Sequence, residues 1–244
     1  MAVYTNTHVA AYVDSLGFHA FADTVNLDAS FEERDATVYA SGGWRRRKVG
    51  LGQHMLRVEG FQDYATTGVD PTFPISGVGG LNAYTVAPQN LAASLGDPCF
   101  IGQGVLNDYQ PLTGEVGEMA RFGFGWAGTA QMVRGQILHP EAARTATGNG
   151  TAVAFTPPTA SQALYASFHV LSVSGTGTIT FNVQTDDNSG MTTPTTRITS
   201  SAFAAVGGQV SSLAGALTSE SHARVIWTIS GFTSVTFVVA AGVL

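Results

Sequence analysis

The segment Phe21-Ala22-Asp23-Thr24-Val25-Asn26-Leu27-Asp28-Ala29-Ser30-Phe31 sets Val25, Leu27, Ala29 and Phe31 against Thr24, Asn26, Asp28 and Ser30. That alternation is the period of a strand with one buried and one wet face. Leu56-Arg57-Val58-Glu59 repeats it. Between the two come the acidic Glu32, Glu33 and Asp35, and then Ser41-Gly42-Gly43-Trp44-Arg45-Arg46-Arg47-Lys48. The glycines permit a turn, and four adjacent cations cannot be buried together without partners. The pattern predicts two strands, Phe21 to Phe31 and Met55 to Phe61, joined through a loop that lies at a surface or an interface.

Working outward, the chain reads as mainly β. Met1 to about Leu16 fits no single period. Thr66 to Pro74 reads as a loop from its Gly, Asp and Pro content. Leu81 to Ala87 reads as a strand. Pro88 to Leu95 reads as one short helix, with Pro88 near its first turn, Gly96 in the stop position and Pro98 beyond. Strand character resumes over Phe100 to Leu106 and Met119 to Val133, where Phe122, Phe124 and Trp126 share one face between glycines. A small polar run from Thr145 to Thr151 then predicts a linker over 145–152 between a first domain, 1–144, and a second, 153–244. The second has the strand spacing of an immunoglobulin-like or jelly-roll β-sandwich: Ala163 to Val173, Gly177 to Gln184, Thr195 to Ala202, Arg224 to Ser230 and Ser234 to Val243. Ile179, Phe181 and Val183 mark one inner face, and Val225, Trp227 and Ile229 another.

Charge is distributed unevenly over the 244 residues. Residues 1–144 hold nine Lys plus Arg and fourteen Asp plus Glu, whereas Thr145 to Leu244 carries only Arg197, Arg224, Asp186, Asp187 and Glu220. A solvated surface usually carries roughly a quarter to a third charged residues, so the second part covers itself with Ser, Thr and Gly or meets other subunits. One lysine against ten arginines leans towards assembly, because guanidinium groups suit hydrogen-bonded interfaces. The net charge of −6 argues against a dedicated nucleic-acid binder. The single Cys99 excludes an intramolecular disulfide. The start has no basic region followed by an apolar run, and no stretch reaches membrane-spanning length, which predicts a soluble product made in cytoplasm.

The residue types and spacings of the sequence assemble no catalytic or cofactor site. His8, His19, His54, His139, His169 and His222 lack zinc spacing. Asp186-Asp187-Asn188-Ser189-Gly190 suits a turn better than a calcium loop, since it lacks the alternating acidic positions and the distal glutamate. Adjacent Glu32 and Glu33 point to opposite faces of a strand and so make no carboxylate pair for glycoside hydrolysis. Nucleophile elbows, phosphate loops and dinucleotide fingerprints are absent from the sequence. The run Arg45-Arg46-Arg47-Lys48 has three readings: a solvated loop, an inter-subunit contact, or a nucleic-acid contact. Its opposition to Glu32, Glu33 and Asp35 favours the second, in which a head-to-tail assembly gains register from matched charge.

The order of these features resembles the major tail tube proteins of long-tailed, non-contractile bacteriophages. The resemblance rests on Asp23 to Phe31, the glycine and basic loop, Val49-Gly50-Leu51-Gly52-Gln53-His54-Met55-Leu56-Arg57-Val58-Glu59-Gly60-Phe61, a short helix near Leu91, and Leu112-Thr113-Gly114-Glu115-Val116-Gly117-Glu118 running into Phe122-Gly123-Phe124-Gly125-Trp126. It covers most of residues 15–138 as pattern rather than exact motif, and the second part is similar to a β-sandwich that some members append. The resemblance implies a virion structural protein without catalysis. Six copies close a ring whose strands form a continuous barrel, and rings stack into a tail tube through which DNA and the tape-measure protein pass, closed by a tail terminator. On this expectation Asp23, Asp28 and Glu59 line the channel, Arg45, Arg46, Arg47, Lys48, Glu32, Glu33 and Asp35 form inter-ring or inter-subunit contacts, and the sandwich decorates the outside. Two other readings compete. One is a carbohydrate-binding protein using Trp227 or Tyr165 as a stacking surface. The other is a different virion role, in capsid decoration or the distal tail.

Overall fold

The computed structural model describes residues 8–38, 44–66, 68–89, 91–217 and 219–244. The chain is mainly β, as its alternation predicts, and its strands join one hydrogen-bonded antiparallel network. In chain order the strands of the first part are β1 (Ala10–Val13), β2 (Leu16–Gly17), β3 (Ala22–Asp35), β4 (Arg47–Phe61), β5 (Leu81–Ala87), β6 (Pro98–Thr113), β7 (Arg121–Gly128) and β8 (Val133–Arg144). Those that follow are β9 (Gly148–Asn149), β10 (Val153–Ala154), β11 (Ala163–Asp186), β12 (Thr195–Thr199), β13 (Gly207–Ala214) and β14 (His222–Val243).

The arm before Leu16, which shows no clear period, contains a fully buried strand. β1 pairs with β5, and the left-handed Asp14 turns it back into β2. The Asp14 carboxylate satisfies that turn by accepting from Ala83 N at 2.8 Å and Asn82 Nδ2 at 2.6 Å.

The helix expected over Pro88 to Leu95 does not form among the described residues. Its polar groups find better partners. Ser94 N donates to Asp97 Oδ2 at 2.8 Å, while Gly96 N and Ile137 N pair with the Ile137 and Asp97 carbonyls. An eight-residue helix gains too little from its own hydrogen bonds to compete. Among the described residues the one α-helix, α1 (Val69–Thr72), lies instead in the stretch expected to be a loop. Pro71 fits its first turn, where no N–H is needed, and Val69 and Phe73 are buried beside it.

The expected strands of the sandwich merge in pairs. β11 and β14 are single long strands that pair from Leu164↔Val243 to Asp186↔His222, with register shifts between Val170 and Thr178. The ribbon folds over at these bulges, where Gly175 and Gly231 adopt φ of +87° and +85°, a region that L residues with side chains rarely enter. The fold-back stacks Phe168 of one half on Phe181 of the other, with ring centroids 5.5 Å apart. The turn at Asp187–Gly190 forms as expected, with Asp186 accepting from Asp187 N and Thr193 N. Residues 145–152, expected as a linker, run along β14: Trp227 Nε1 donates to Ala146 O at 2.9 Å and Gly150 N to Val225 O at 2.8 Å.

Among the described residues the core has three clusters. One fills the folded β11–β14 ribbon, and one lies beneath β4, β6 and β7. The third is shared by residues on both sides of 145–152, among them Tyr12, Ile101, Val238 and Ala240. The first half of β11 and the last half of β14 are therefore buried on both faces, which is why Phe237 to Ala241 reads as a continuous apolar run.

A buried polar seam joins β5 to β11. Thr85 Oγ1 lies 2.7 Å from Ser167 Oγ and 2.9 Å from His169 Nε2, and His169 Nδ1 lies 3.0 Å from the Asp14 carbonyl oxygen. The carbonyl can only accept, so the neutral imidazole carries its hydrogen on Nδ1 and accepts from Thr85 through Nε2. Burial pushes this histidine down to about 4 from its ordinary 6.5. His139, buried against Phe237 and Trp227, is pushed down to about 4 by burial and by Arg144. The unfolded chain therefore takes up protons from about pH 6.5 downward, while the folded chain takes them up only near 4. Stability is fully present above 6.5 and is lost as pH falls through this window. Between pH 6.5 and 5, His169 alone is expected to cost about 2 kcal/mol. Urea midpoints for the unaltered chain and for His169→Gln at the two pH values check this, the variant showing the smaller acid loss.

Candidate functional site

β3, β4, β7 and β6 form a four-stranded antiparallel sheet with one apolar and one polar face. On the apolar face, Val25, Leu27, Leu56, Val58, Phe124 and Trp126 meet Phe18 and Phe73. Trp126 Nε1 donates to Asn82 Oδ1 at 3.0 Å, so its polar atom is satisfied inside the core. The aromatic row of β7 is thus core, as its alternation predicts.

The polar face repeats the register. Asp28 lies opposite Met55, Asn26 opposite Arg57, and Thr24 opposite Glu59, while Arg57 and Glu59 face Gly125 and Gly123 of β7, which in turn pair with Asp108 and Gln110 of β6. The two glycines leave a shallow depression of about 130 Å³ bordered by Arg57, Glu59, Asp108 and Gln110. Asp28, Arg57, Glu59 and Asp108 are all exposed, three carboxylates against one guanidinium. Asp28 and Glu59 therefore sit on this face and outside the core. Asp23 lies at the bulged start of β3 and pairs with Arg121 at 2.7 Å, at the end of the sheet. Arg57, Asp108 and Gln110 are members that the sequence reading missed. Their signal was the spacing of Gly123 and Gly125, which opens the face to β6.

β7 stops opposite Met55, but β3 and β4 continue together to Asp35 and Arg47. At ~3.3 Å per residue this hairpin projects roughly 20 Å beyond the sheet. Its residues are exposed on both faces. Phe31, expected on a buried face, is 62% exposed, Val49 and Leu51 are each 74% exposed, and Trp44 is 81% exposed. The alternation of β3 is genuine, but the body beneath it ends near Leu27. Glu33 and Arg47 form an ion pair within the hairpin, as do Glu32 and Arg34 at 2.8 Å, and Asp35 caps Thr37 N at 2.8 Å. Arg45, Arg46 and Lys48 make no ion pair among the described residues. Ser41, Gly42 and Gly43 lie outside the described residues.

One concavity of about 780 Å³ is an open trough along β8 and β14 with Arg134 its one charged lining residue. Among the described residues no group of three or more His, Cys, Asp or Glu could hold a metal ion, and no helix is long and apolar enough to cross a membrane. Cys99 is buried, which pushes its thiol up to about 12. Trp227, one candidate for sugar stacking, is in the core beside Phe237, and Tyr165, the other, is half-buried against the third cluster.

No protein-family model matches the chain, and no curated protein matches it. Among solved structures it is similar to a chain of the native gene transfer agent (GTA) virion, with 15% identity and a TM-score of 0.42 over 53% of this chain and 97% of that one. It is similar to a chain in the tail of an empty GTA particle, refined with C6 symmetry, with 17% identity and a TM-score of 0.37 over 46% and 80%. It is also similar to the Dit (gp 19.1) protein of phage SPP1, with 11% identity and a TM-score of 0.31 over 97% and 99%.

Proposed function

We propose that this chain is a structural virion protein of a phage-type tail, the subunit of a tube built from stacked hexameric rings of identical copies. The observation that carries the reading is the β3–β4 hairpin. A two-stranded ribbon exposed on both faces is marginal in water, and its open edges and apolar side chains are the ones another chain covers. Among the described residues the outer edge of β3 pairs with no strand and can extend the four-stranded sheet into a neighbouring copy, so that a closed barrel removes the sheet edges.

In that barrel the polar face, with Asp28, Glu59 and Asp108, lines the channel. A lining with more carboxylates than cations does not collect phosphates, so DNA passes without the counterion-release affinity that a basic lining creates. The tape-measure protein occupies the channel before DNA does, and a terminator closes the tube. The β11–β14 sandwich lies outside it, with Arg197 and Glu220 paired and the remaining surface largely Ser and Thr. No catalytic step belongs to this function. A glycan-binding role gains no support from the sandwich, because its exposed large apolar residues among those described are Val206 and Leu244, neither aromatic.

Sedimentation velocity tests the proposal. Rising concentration is expected to convert a 25.4 kDa species into a heterogeneous series of large multiples. A single 25.4 kDa species at every concentration would reject it.

A further inference from the structure

The two ends of the β3–β4–β7–β6 sheet are electrically opposite. At one end the hairpin tip carries Arg34, Arg45, Arg46, Arg47 and Lys48 against Glu32, Glu33 and Asp35. Its internal pairs leave Arg45, Arg46 and Lys48 as the outward charge. At the other end the β6–β7 connection carries Glu115 and Glu118, with Asp63 beside it where Gln62 N donates to Ala120 O. The cation at that end, Arg121, is already held by Asp23 and lies over the Phe61 ring.

Apolar exposure follows the same two poles. Of the seventeen exposed large apolar side chains among the described residues, ten lie there: Phe31, Val38, Trp44, Val49 and Leu51 at the basic tip, and Phe61, Tyr64, Leu112, Val116 and Met119 at the acidic end. Val116 is as exposed as a side chain can be. A surface loop has no reason of its own to hold Leu112, Val116 and Met119 in water beside two glutamates. Nor has the hairpin a reason to hold Trp44 beside three arginines. Matched charge with matched apolar area is what a desolvated contact with a polar rim requires.

We infer that copies of this chain stack head to tail along the strand direction, the basic β3–β4 tip of one copy seating on the acidic β6–β7 connection of the next. Because the two surfaces differ, the contact is heterologous and repeats without limit, which generates a filament rather than a closed dimer. The inference deepens the tube reading and rests on it for its context, since stacking along the strands is the direction in which rings add to a tube. It also reassigns the acidic partner of the basic run: Glu32 and Glu33 neutralise Arg34 and Arg47 within the hairpin, and Glu115 and Glu118 meet the remainder.

Charge exchange tests it. The chain with Arg45→Glu and Arg46→Glu has acid at both poles, and the chain with Glu115→Lys and Glu118→Lys has base at both. Each alone is expected to need at least about tenfold more protein to associate, a loss of about 1.4 kcal/mol per contact, while keeping the thermal unfolding of the unaltered chain. An equimolar mixture is expected to recover, because every tip then finds an opposite pole. Association of either altered chain alone at the unaltered concentration would overturn this contact and leave the tube standing, as would a mixture of folded chains that fails to recover. An unaltered chain that never associates would remove both. Should an altered chain misfold, Arg45→Gln with Arg46→Gln and Glu115→Gln with Glu118→Gln replace it. Each is then expected to flatten the salt dependence of association, and an unchanged salt dependence would overturn the contact.

Discussion

Replacing residues 32–51 by an Asn-Gly turn between Phe31 and Gly52 is expected to hold the shortened chain as a monomer at concentrations where the unaltered chain, 25.4 kDa as a monomer, forms large assemblies. Phe31 and Gly52 are direct cross-strand partners, so a two-residue turn closes the shortened hairpin without changing register. The deleted segment includes Val38, Trp44, Val49, Leu51 and the basic tip, none of which enters a core cluster. Burying four apolar side chains of this size gains roughly 6–10 kcal/mol before the cost of association is set against it. Losing that much moves a micromolar assembly beyond any accessible concentration. The thermal midpoint is expected to stay within about 2 °C, because the segment supports nothing beneath it. Light scattering and a melt on the same sample give both readouts. Unchanged assembly after truncation would show that the hairpin is not an interface.

The opposite behaviour is expected of Trp126→Ala. Trp126 is fully buried, stacks on Phe124 with centroids 5.3 Å apart, and meets Phe18 and Phe73 edge-on. Truncation removes an indole from the layer that supports the polar face and leaves Asn82 Oδ1 without its donor. The loss is expected to be about 3–5 kcal/mol, or roughly 10–15 °C in the thermal midpoint for a chain of this size. Trp126→Phe keeps the ring stack and loses the hydrogen bond, so its cost is expected to fall to about 1–3 kcal/mol. Urea unfolding measures both. A cost below about 1 kcal/mol for the alanine variant would mean that the aromatic layer does not hold this sheet together.

Much of the fold was legible wherever alternation and burial coincide. The aromatic face of Phe122, Phe124 and Trp126 and the inner faces marked by Phe181 and Trp227 are visible in the sequence, because each has one face in the core and a period of two, whereas Leu81 to Ala87 is buried on both faces from Ala83 onward and shows only by its composition. The arm before Leu16 was not legible. Ala10 to Val13 is buried on both sides, which erases the alternation that reveals a strand. The helix expected at Pro88 failed because local propensity was weighed without the Asp97 side chain and the β8 backbone, partners that only the tertiary fold supplies. The merging of four sandwich strands into β11 and β14 was hidden for a related reason. Gly175 and Gly231 look like turn residues in sequence, whereas here they bend a ribbon without interrupting it.

The candidate site was read in part. The segregation of Arg45 to Lys48 from Glu32, Glu33 and Asp35 is visible in the chain, but pairing across one hairpin neutralises Glu33 against Arg47 in a way that sequence distance conceals. Phe31 belongs to an alternating strand by pattern, yet the body ends before it reaches that residue. Its exposure is a statement about where the other strands stop, and no local pattern carries that.

Electron microscopy of the assembled chain, carried to a helical reconstruction, decides whether it builds a tube with the polar face inward. The expected result is a hollow tube of stacked rings with Asp28, Glu59 and Asp108 around an open channel and the β11–β14 sandwich on the outer surface. Solid fibres, or a tube whose channel is lined by the sandwich while Asp28 and Glu59 are buried between subunits, would contradict it.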